Sequence, residues 1–446
     1  MPEVRTVTSL ALLYAFRMLG LFMVLPVLML YGDQYVGATP ALLGLALGIY
    51  GLTQACFQIP LGLLSDVVGR KPIILAGLAI FALGSVVAAQ ATTIEGLVLG
   101  RALQGSGAIA SAIMAMVADL TSEENRTKAM AAIGASIGLS FSLAMILGPA
   151  LAAATGLAGV FMLSAGLACV GAVIVVFAVP SPTERRAHRD IVISPALVLQ
   201  TLRNTELLRL NWGIFSLHSI LMASFVSIPP ILVSVLDLPR ESHWSFYLPV
   251  LGLAFIAMLP LMIVAEKKQQ VKPVFITAVA LLLVSAALLG MLEHGVWLVM
   301  ILVFVFFVAF NLLESMLPSL VSKIAPAGTK GTAMGLYSTS QFLGAFFGGA
   351  VGGWVFDSYS PSAVFIVSSL LALAWLFVAL FMVAPKKLAR LCFALRENFD
   401  RDAVAALPGV EELRISHDEA LVYLKVDRRI LDGVALQQHA GIDTVP

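Results

Sequence analysis

Gly62-Leu-Leu-Ser-Asp66-Val-Val-Gly69-Arg70-Lys71-Pro72 is a short charged run set between two long apolar stretches, residues 41–61 and 72–90. A helix needs roughly 20 apolar residues to cross a bilayer. Each flank is that long, so the run reads as a tight loop joining two membrane helices. Glycine lacks a side chain and lets helices or turns approach closely, and here Gly62 and Gly69 bracket the acid. One acid and two bases in so short a loop point to contacts that two helix bundles make and break. The plainer alternative is a solvated turn whose charges set topology.

Outward from this run, the pattern repeats along the chain. The 446 residues are 60% hydrophobic and only 12% charged, against about 25% charged in soluble proteins. The mean hydropathy of +0.97 is a membrane value and argues against a nucleic-acid partner. Twelve spans are expected at 7–31, 41–61, 72–90, 94–118, 128–154, 157–180, 210–236, 243–265, 272–291, 295–322, 331–355 and 362–384. They are numbered 1 to 12 here. Helices are the expected form, because each span must satisfy its own backbone in lipid. Span 1 is too long for a signal-peptide core and contains Arg17, so it reads as a retained helix. Of the 27 Lys and Arg, Arg17 and Arg101 lie within spans and only Arg240 lies in an odd-numbered loop. The other 24 lie at the N-terminus, in even-numbered loops or in the tail. The positive-inside rule then places both termini in the cytoplasm. Cys56, Cys169 and Cys392 are scattered without a CxxC, so neither a disulfide framework nor a metal site is expected. Cys56 and Cys169 read as buried small residues.

The spans divide six and six: residues 1–180, a linker at 181–209, and residues 210–384. The linker holds Arg185, Arg186, Arg189 and Arg203, and reads either as an amphipathic segment on the membrane surface or as a solvated loop. Phe22-Met-Val-Leu-Pro26 echoes Phe225-Val-Ser-Ile-Pro229, and Arg126-Thr-Lys-Ala-Met130 echoes Lys330-Gly-Thr-Ala-Met334. Echoes at nearly one spacing suggest parallel repeats. Residues 388–446 change character. Their β-α-β-β-α pattern predicts a small ferredoxin-like α+β domain, with strands at 388–395, 411–415 and 421–426 and helices at 401–406 and 431–439. So small a domain suggests docking or self-association.

The opening run resembles the loop 2–3 motif of the major facilitator superfamily. Gly62, Leu64, Asp66, Gly69, Arg70 and Lys71 match, whereas Val67 replaces a usual basic residue. Arg101-Ala-Leu-Gln104-Gly105-Ser-Gly107 resembles the superfamily's span 4 run, and Ala144-x-x-x-Gly148-Pro149 partly resembles its antiporter motif in span 5. The likeness covers all twelve spans. It is greatest to drug/proton-antiporter-like members that carry a C-terminal ferredoxin-like domain of the YAM type. The resemblance implies a cytoplasmic latch: Asp66 facing the start of span 11 near Gly331, and Arg70 paired with Asp119. It also implies that spans 1, 4, 7 and 10 line a central cavity.

Charges inside spans are costly and usually functional. Arg17, Arg101, His218 and Glu314 all fall on those cavity helices. Glu314 is the expected proton carrier, and His218 either titrates or is a neutral histidine bonded to a hydroxyl. Arg17 and Arg101 orient anionic groups, pair with Glu314, or make structural bonds to helix carbonyls. Asn311, Gln54, Gln58, Gln104 and Gln341 are cavity contacts or helix-to-helix bonds. The reading is proton-coupled export of small amphipathic molecules by alternating access, across a bacterial inner membrane and without a cofactor. Uptake of a small metabolite, or a membrane sensor whose tail binds a ligand, are the alternatives. No nucleophile, base and orienter arrangement or Walker run is present, so neither an enzyme nor ATP drive is expected.

Overall fold

The computed structural model describes residues 2–121, 123–180, 201–291, 295–326, 330–383, 389–396, 399–416, 421–427 and 430–440. Twelve helical crossings occur at the expected positions. Span 1 is Pro2–Phe22 continued by Leu28–Tyr31, and span 4 is Ile94–Ser106 continued by Ala110–Leu120. Spans 5 and 6 form one run, Glu123–Phe177, bent at Gly156, whose φ of 69° suits glycine. The others are Pro40–Val68, Arg70–Gln90, Thr205–Ser234, His243–Lys267, Val271–Met291, Val296–Ile324, Lys330–Ser358 and Pro361–Leu380. By apolarity alone ten stretches qualify as spans, because 5 and 6 merge and the glycine-rich span 11 falls short.

Local chemistry explains several starts. Thr39 and Ser360 cap their helices by accepting from Leu42 and Ala363 N–H groups, each followed by proline at the first helical position. Asn204 caps span 7 through the Glu206 and Leu207 N–H groups. Gly69 separates spans 2 and 3 at a φ of 114°, a conformation side chains resist. The expected amphipathic segment of the linker lies outside the described residues.

Odd-numbered loops gather on one face and even-numbered loops on the other. Val36 and Thr93 form a β-bridge on the odd-loop face. The halves meet there through glycine. A Cβ on Gly44 would lie 2.4 Å from the Gly349 carbonyl, and one on Gly48 2.5 Å from the Phe346 carbonyl. Spans 2 and 11 therefore pack backbone to backbone. Midway through, Phe141 of span 5 lies 5.2 Å from Phe22 of span 1 and 6.2 to 6.5 Å from Phe225, Phe310 and Phe307 of the second half, joining the halves through rings. Among the described residues, a Cβ built on Gly335 of span 11, or on Gly134 or Gly138 of span 5, would meet no heavy atom within 4 Å beyond its own helix backbone.

The tail forms the expected small α+β domain. Strands β1 (Ala389–Ala394), β2 (Val410–Ser416) and β3 (Leu421–Val426) make an antiparallel sheet in the order β1-β3-β2. Helices Arg401–Ala406 and Gly433–Ala440 cover it over a core of Leu391, Val404, Val422, Leu424 and Leu436. The proposed turn at His417–Glu419 lies outside the described residues. Cys56 and Cys169 are exposed rather than buried, because they occupy outward helix faces, which in a membrane protein are as apolar as the core.

Candidate functional site

Three groups of polar residues stand apart in this apolar bundle. The first is the charged turn. Arg70 pairs with Asp66, its Nε donates to Asp119 Oδ2 at 3.1 Å, and its Nη1 donates to Ser65 Oγ at 2.7 Å. Ser65 in turn donates to the Gly62 carbonyl at 2.6 Å. A Cβ on Gly62 would lie 2.9 Å from Ser111 Oγ, so this glycine brings span 2 against span 4. Asp66, Arg70 and Asp119 thus form one network inside the first half. Among the described residues the ion pair of Asp66 is with Arg70, and Gly331, at the start of span 11, is exposed. Lys71 makes no ion pair among the described residues, and Val67 is 72% exposed.

The second group lies inside the first half. Span 4 breaks after Ser106 because Gly107 packs on span 3, where a Cβ would lie 2.3 Å from the Gly77 carbonyl. The break leaves the Gly107 carbonyl without a helical donor, and Arg17 Nη2 takes it at 2.9 Å. The same nitrogen reaches Gln54 Oε1 at 2.8 Å and Tyr50 Oη at 3.2 Å. Gln54 passes the chain on, donating to Gln58 at 2.7 Å. Arg101 donates to the Ala46 carbonyl at 3.1 Å and to Gln104 at 2.7 Å, and Gln104 donates to Ser85 at 2.7 Å. Its guanidinium lies 5.1 Å from the Tyr50 ring centroid. Both arginines are fully buried. Their partners are amides, carbonyls and a phenol. Glu314 pairs with neither, because it belongs to the second half. Tyr50, which touches both arginines, escapes a sequence reading: a tyrosine within a span has no charge to mark it.

The third group is in the second half. Gln341 of span 11 lies with its Nε2 2.8 Å from His218 Nε2 of span 7 and 3.4 Å from Glu314 Oε1 of span 10. His218 Nε2 stands 3.8 Å from Glu314 Oε2. Gln341 is thereby placed to bridge the imidazole and the carboxylate. The partner of His218 is an amide, not a hydroxyl. The Phe310 ring lies 6.2 Å from the imidazole. Tyr337, also on span 11, is buried with its phenol near this group and, among the described residues, has no hydrogen-bond partner. Asn311, one turn from Glu314, makes no hydrogen bond among the described residues.

Two six-helix halves with buried polar clusters on spans 1, 4, 7 and 10, and a charged loop 2–3, are the architecture of a membrane transporter. The family model of the Major Facilitator Superfamily matches residues 10–349 and 255–398, and the chain belongs to that family. It is 44% identical to the inner membrane transport protein YajR of Escherichia coli (strain K12), over 98% of this chain and 97% of that one. It is 24% identical to the quinolone resistance protein NorA of Staphylococcus aureus, over 78% of this chain and 89% of that one. Among solved structures, a bacterial homolog of the human lysosomal transporter Spinster, in an inward-facing and occupied conformation, shares the fold. The TM-score is 0.69 at 13% identity, covering 84% of this chain and 96% of that one. The protein is therefore a multi-pass membrane transporter of the secondary type, not an enzyme.

Proposed function

We propose that the protein exports small amphipathic molecules across a bacterial inner membrane, in exchange for protons, by alternating access. The observation that carries this reading is the Glu314–Gln341–His218 cluster: one carboxylate and one imidazole share an amide nitrogen deep in the second half. A carboxylate there is costly to ionise and can trade a proton for substrate. Glu314 keeps 37% of its side chain accessible, while its Oε2 is buried and without a hydrogen-bond partner among the described residues. The rings of Phe141, Phe225, Phe307 and Phe310 form an apolar cluster that reaches this site through Phe310 and His218, and its parting on the substrate side would suit an amphipathic molecule. In the first half Arg17, Arg101 and Gln54 are fully buried and hold spans 1, 2 and 4 together.

The charge distribution supports a cytoplasmic even-loop face and cytoplasmic termini. In that orientation the described conformation opens inward. Asp66, Arg70 and Asp119, with Gly62, Gly69 and Lys71, then form the first-half side of a latch. It closes on the start of span 11, near Gly331, when the protein opens outward. The helix N-terminus there would favour the Asp66 carboxylate by about 0.3–1 kcal/mol. Functional units run 1–180 and 210–384 for the halves, 181–209 for the linker, and 388–446 for the tail.

The tail is proposed to dock on the second half. Lys425 of β3 donates to the Ala325 carbonyl, at the end of span 10, at 2.7 Å and pairs with Glu412 at 2.9 Å.

The test is a reconstitution. Purified protein in proteoliposomes should move a fluorescent amphipathic cation such as ethidium when an inward-acid or outward-acid gradient is imposed, and the flux should reverse with the gradient. Flux that ignores the gradient would remove the proton from the mechanism.

A further inference from the structure

The odd-loop face carries one Lys or Arg in its loops, Arg240, in the Arg240–Ser242 turn that opens span 8. A cation on that face runs against the positive-inside rule. Its three contacts account for it. Arg240 Nη1 donates to the Leu30 carbonyl at 3.2 Å, Nε faces Glu241 at 3.3 Å, and the guanidinium plane lies 4.4 Å from the centroid of the Tyr31 ring. Leu30 and Tyr31 end span 1, in the first half, 210 residues away in sequence. Leu30 is in the last helical turn, where carbonyls lack donors and the negative end of the helix lies.

We propose that Arg240 is a reversible clamp that holds the two halves together on the odd-loop face and releases when that face opens. The clamp rests on the alternating-access reading above. Two of its contacts, Leu30 and Tyr31, cross between halves. The third, Glu241, stays with Arg240 and keeps the side chain pointed across the junction. Arg240 is 45% exposed, so on release its charge returns to water without a desolvation penalty. That separates it from a buried ion pair, which would hold permanently. It also sets it opposite the proposed closure of the Asp66–Arg70–Asp119 turn on span 11: one charged contact between the halves per face, each made when the other is broken. A planar guanidinium is needed to stack and donate at once, so lysine would serve only in part.

The experiment measures distances by double electron–electron resonance on the full-length protein, with Cys56, Cys169 and Cys392 replaced by alanine. One spin-label pair sits at Glu95 and Tyr359, exposed positions on the odd-loop face, one in each half. A second pair sits at Lys128 and Lys268 on the even-loop face. Arg240→Ala and Tyr31→Leu should each raise the long-distance, open population of the first pair about three- to tenfold. Arg240→Lys should fall between them and the parent. If neither Arg240→Ala nor Tyr31→Leu changes the first pair while Asp66→Asn changes the second, the clamp is overturned alone. If none of the three changes either pair, the alternating-access reading falls with it.

Discussion

Arg70 holds Asp119 across the first half, Nε to Oδ2 at 3.1 Å, with both side chains largely shielded from solvent. The pair ties the charged turn to the end of span 4. On the latch proposed above, the turn is preformed and closing requires only that span 11 arrive. Asp119→Asn keeps the shape but removes the charge. A charge-assisted hydrogen bond contributes about 1.5–3 kcal/mol, so the variant should lower thermal stability measurably and loosen the turn. Cysteine labelling at Val67 should then rise; unchanged labelling would mean the pair does not order the turn.

The glycines of span 11 separate two kinds of close approach. A Cβ on Gly348 would lie 2.1 Å from the Ser219 carbonyl, within the second half, whereas one on Gly44 meets span 11 from the other half. Gly348→Ala should destabilise the fold by about 1–3 kcal/mol through overpacking. Gly44→Val should instead push the halves apart on the odd-loop face and shift the resting conformation, with little loss of folded protein. Thermal unfolding and the Glu95–Tyr359 distance together distinguish the two outcomes.

Arg17 offers a test of the first-half network. It serves acceptors on spans 2 and 4, and each left unsatisfied in the interior costs about 1–3 kcal/mol. Arg17→Ala should therefore cost several kcal/mol, and Tyr50→Phe, which removes one acceptor, about 1 kcal/mol or less. If Arg17→Ala unfolds no more easily than the parent, the network is not structural, and its role lies with substrate.

Lys425 tests the tail. Lys425→Met removes the ammonium from the end of span 10, so the tail should be cut faster in limited proteolysis, by about tenfold if a charge-assisted bond is lost. Equal cutting rates would mean that this bond does not hold the domain in place.

Much of this architecture was legible because lipid imposes one rule on every span. Twelve apolar runs predict twelve helices, and period-two patterning after residue 388 predicts the tail strands to within a residue or two. Arg70 with Asp119 was readable only through family resemblance, since 49 residues separate them. Other features were not readable. The break of span 4 at Gly107 depends on how closely span 3 approaches, and that is a packing fact. Phe141 looks like any lipid-facing aromatic until span 5 is placed against spans 7 and 10. Arg240 was visible as a charge out of place, but its partners at Leu30 and Tyr31 were not, because nothing local marks the end of span 1 as a contact. The resemblance anticipated the Arg70–Asp119 pair, which the structure shows, whereas a conformation is something no motif encodes.

The central claim is that Glu314 carries the proton that drives transport. Glu314→Gln fits the same space and can still face Gln341 and His218, so it should fold and still exchange substrate across the membrane. The decisive measurement is ethidium flux in proteoliposomes, driven by an imposed pH gradient and compared with equilibrium exchange at equal pH. The account requires that Glu314→Gln lose gradient-driven flux while retaining exchange. Gradient-driven flux equal to that of the parent protein would contradict it.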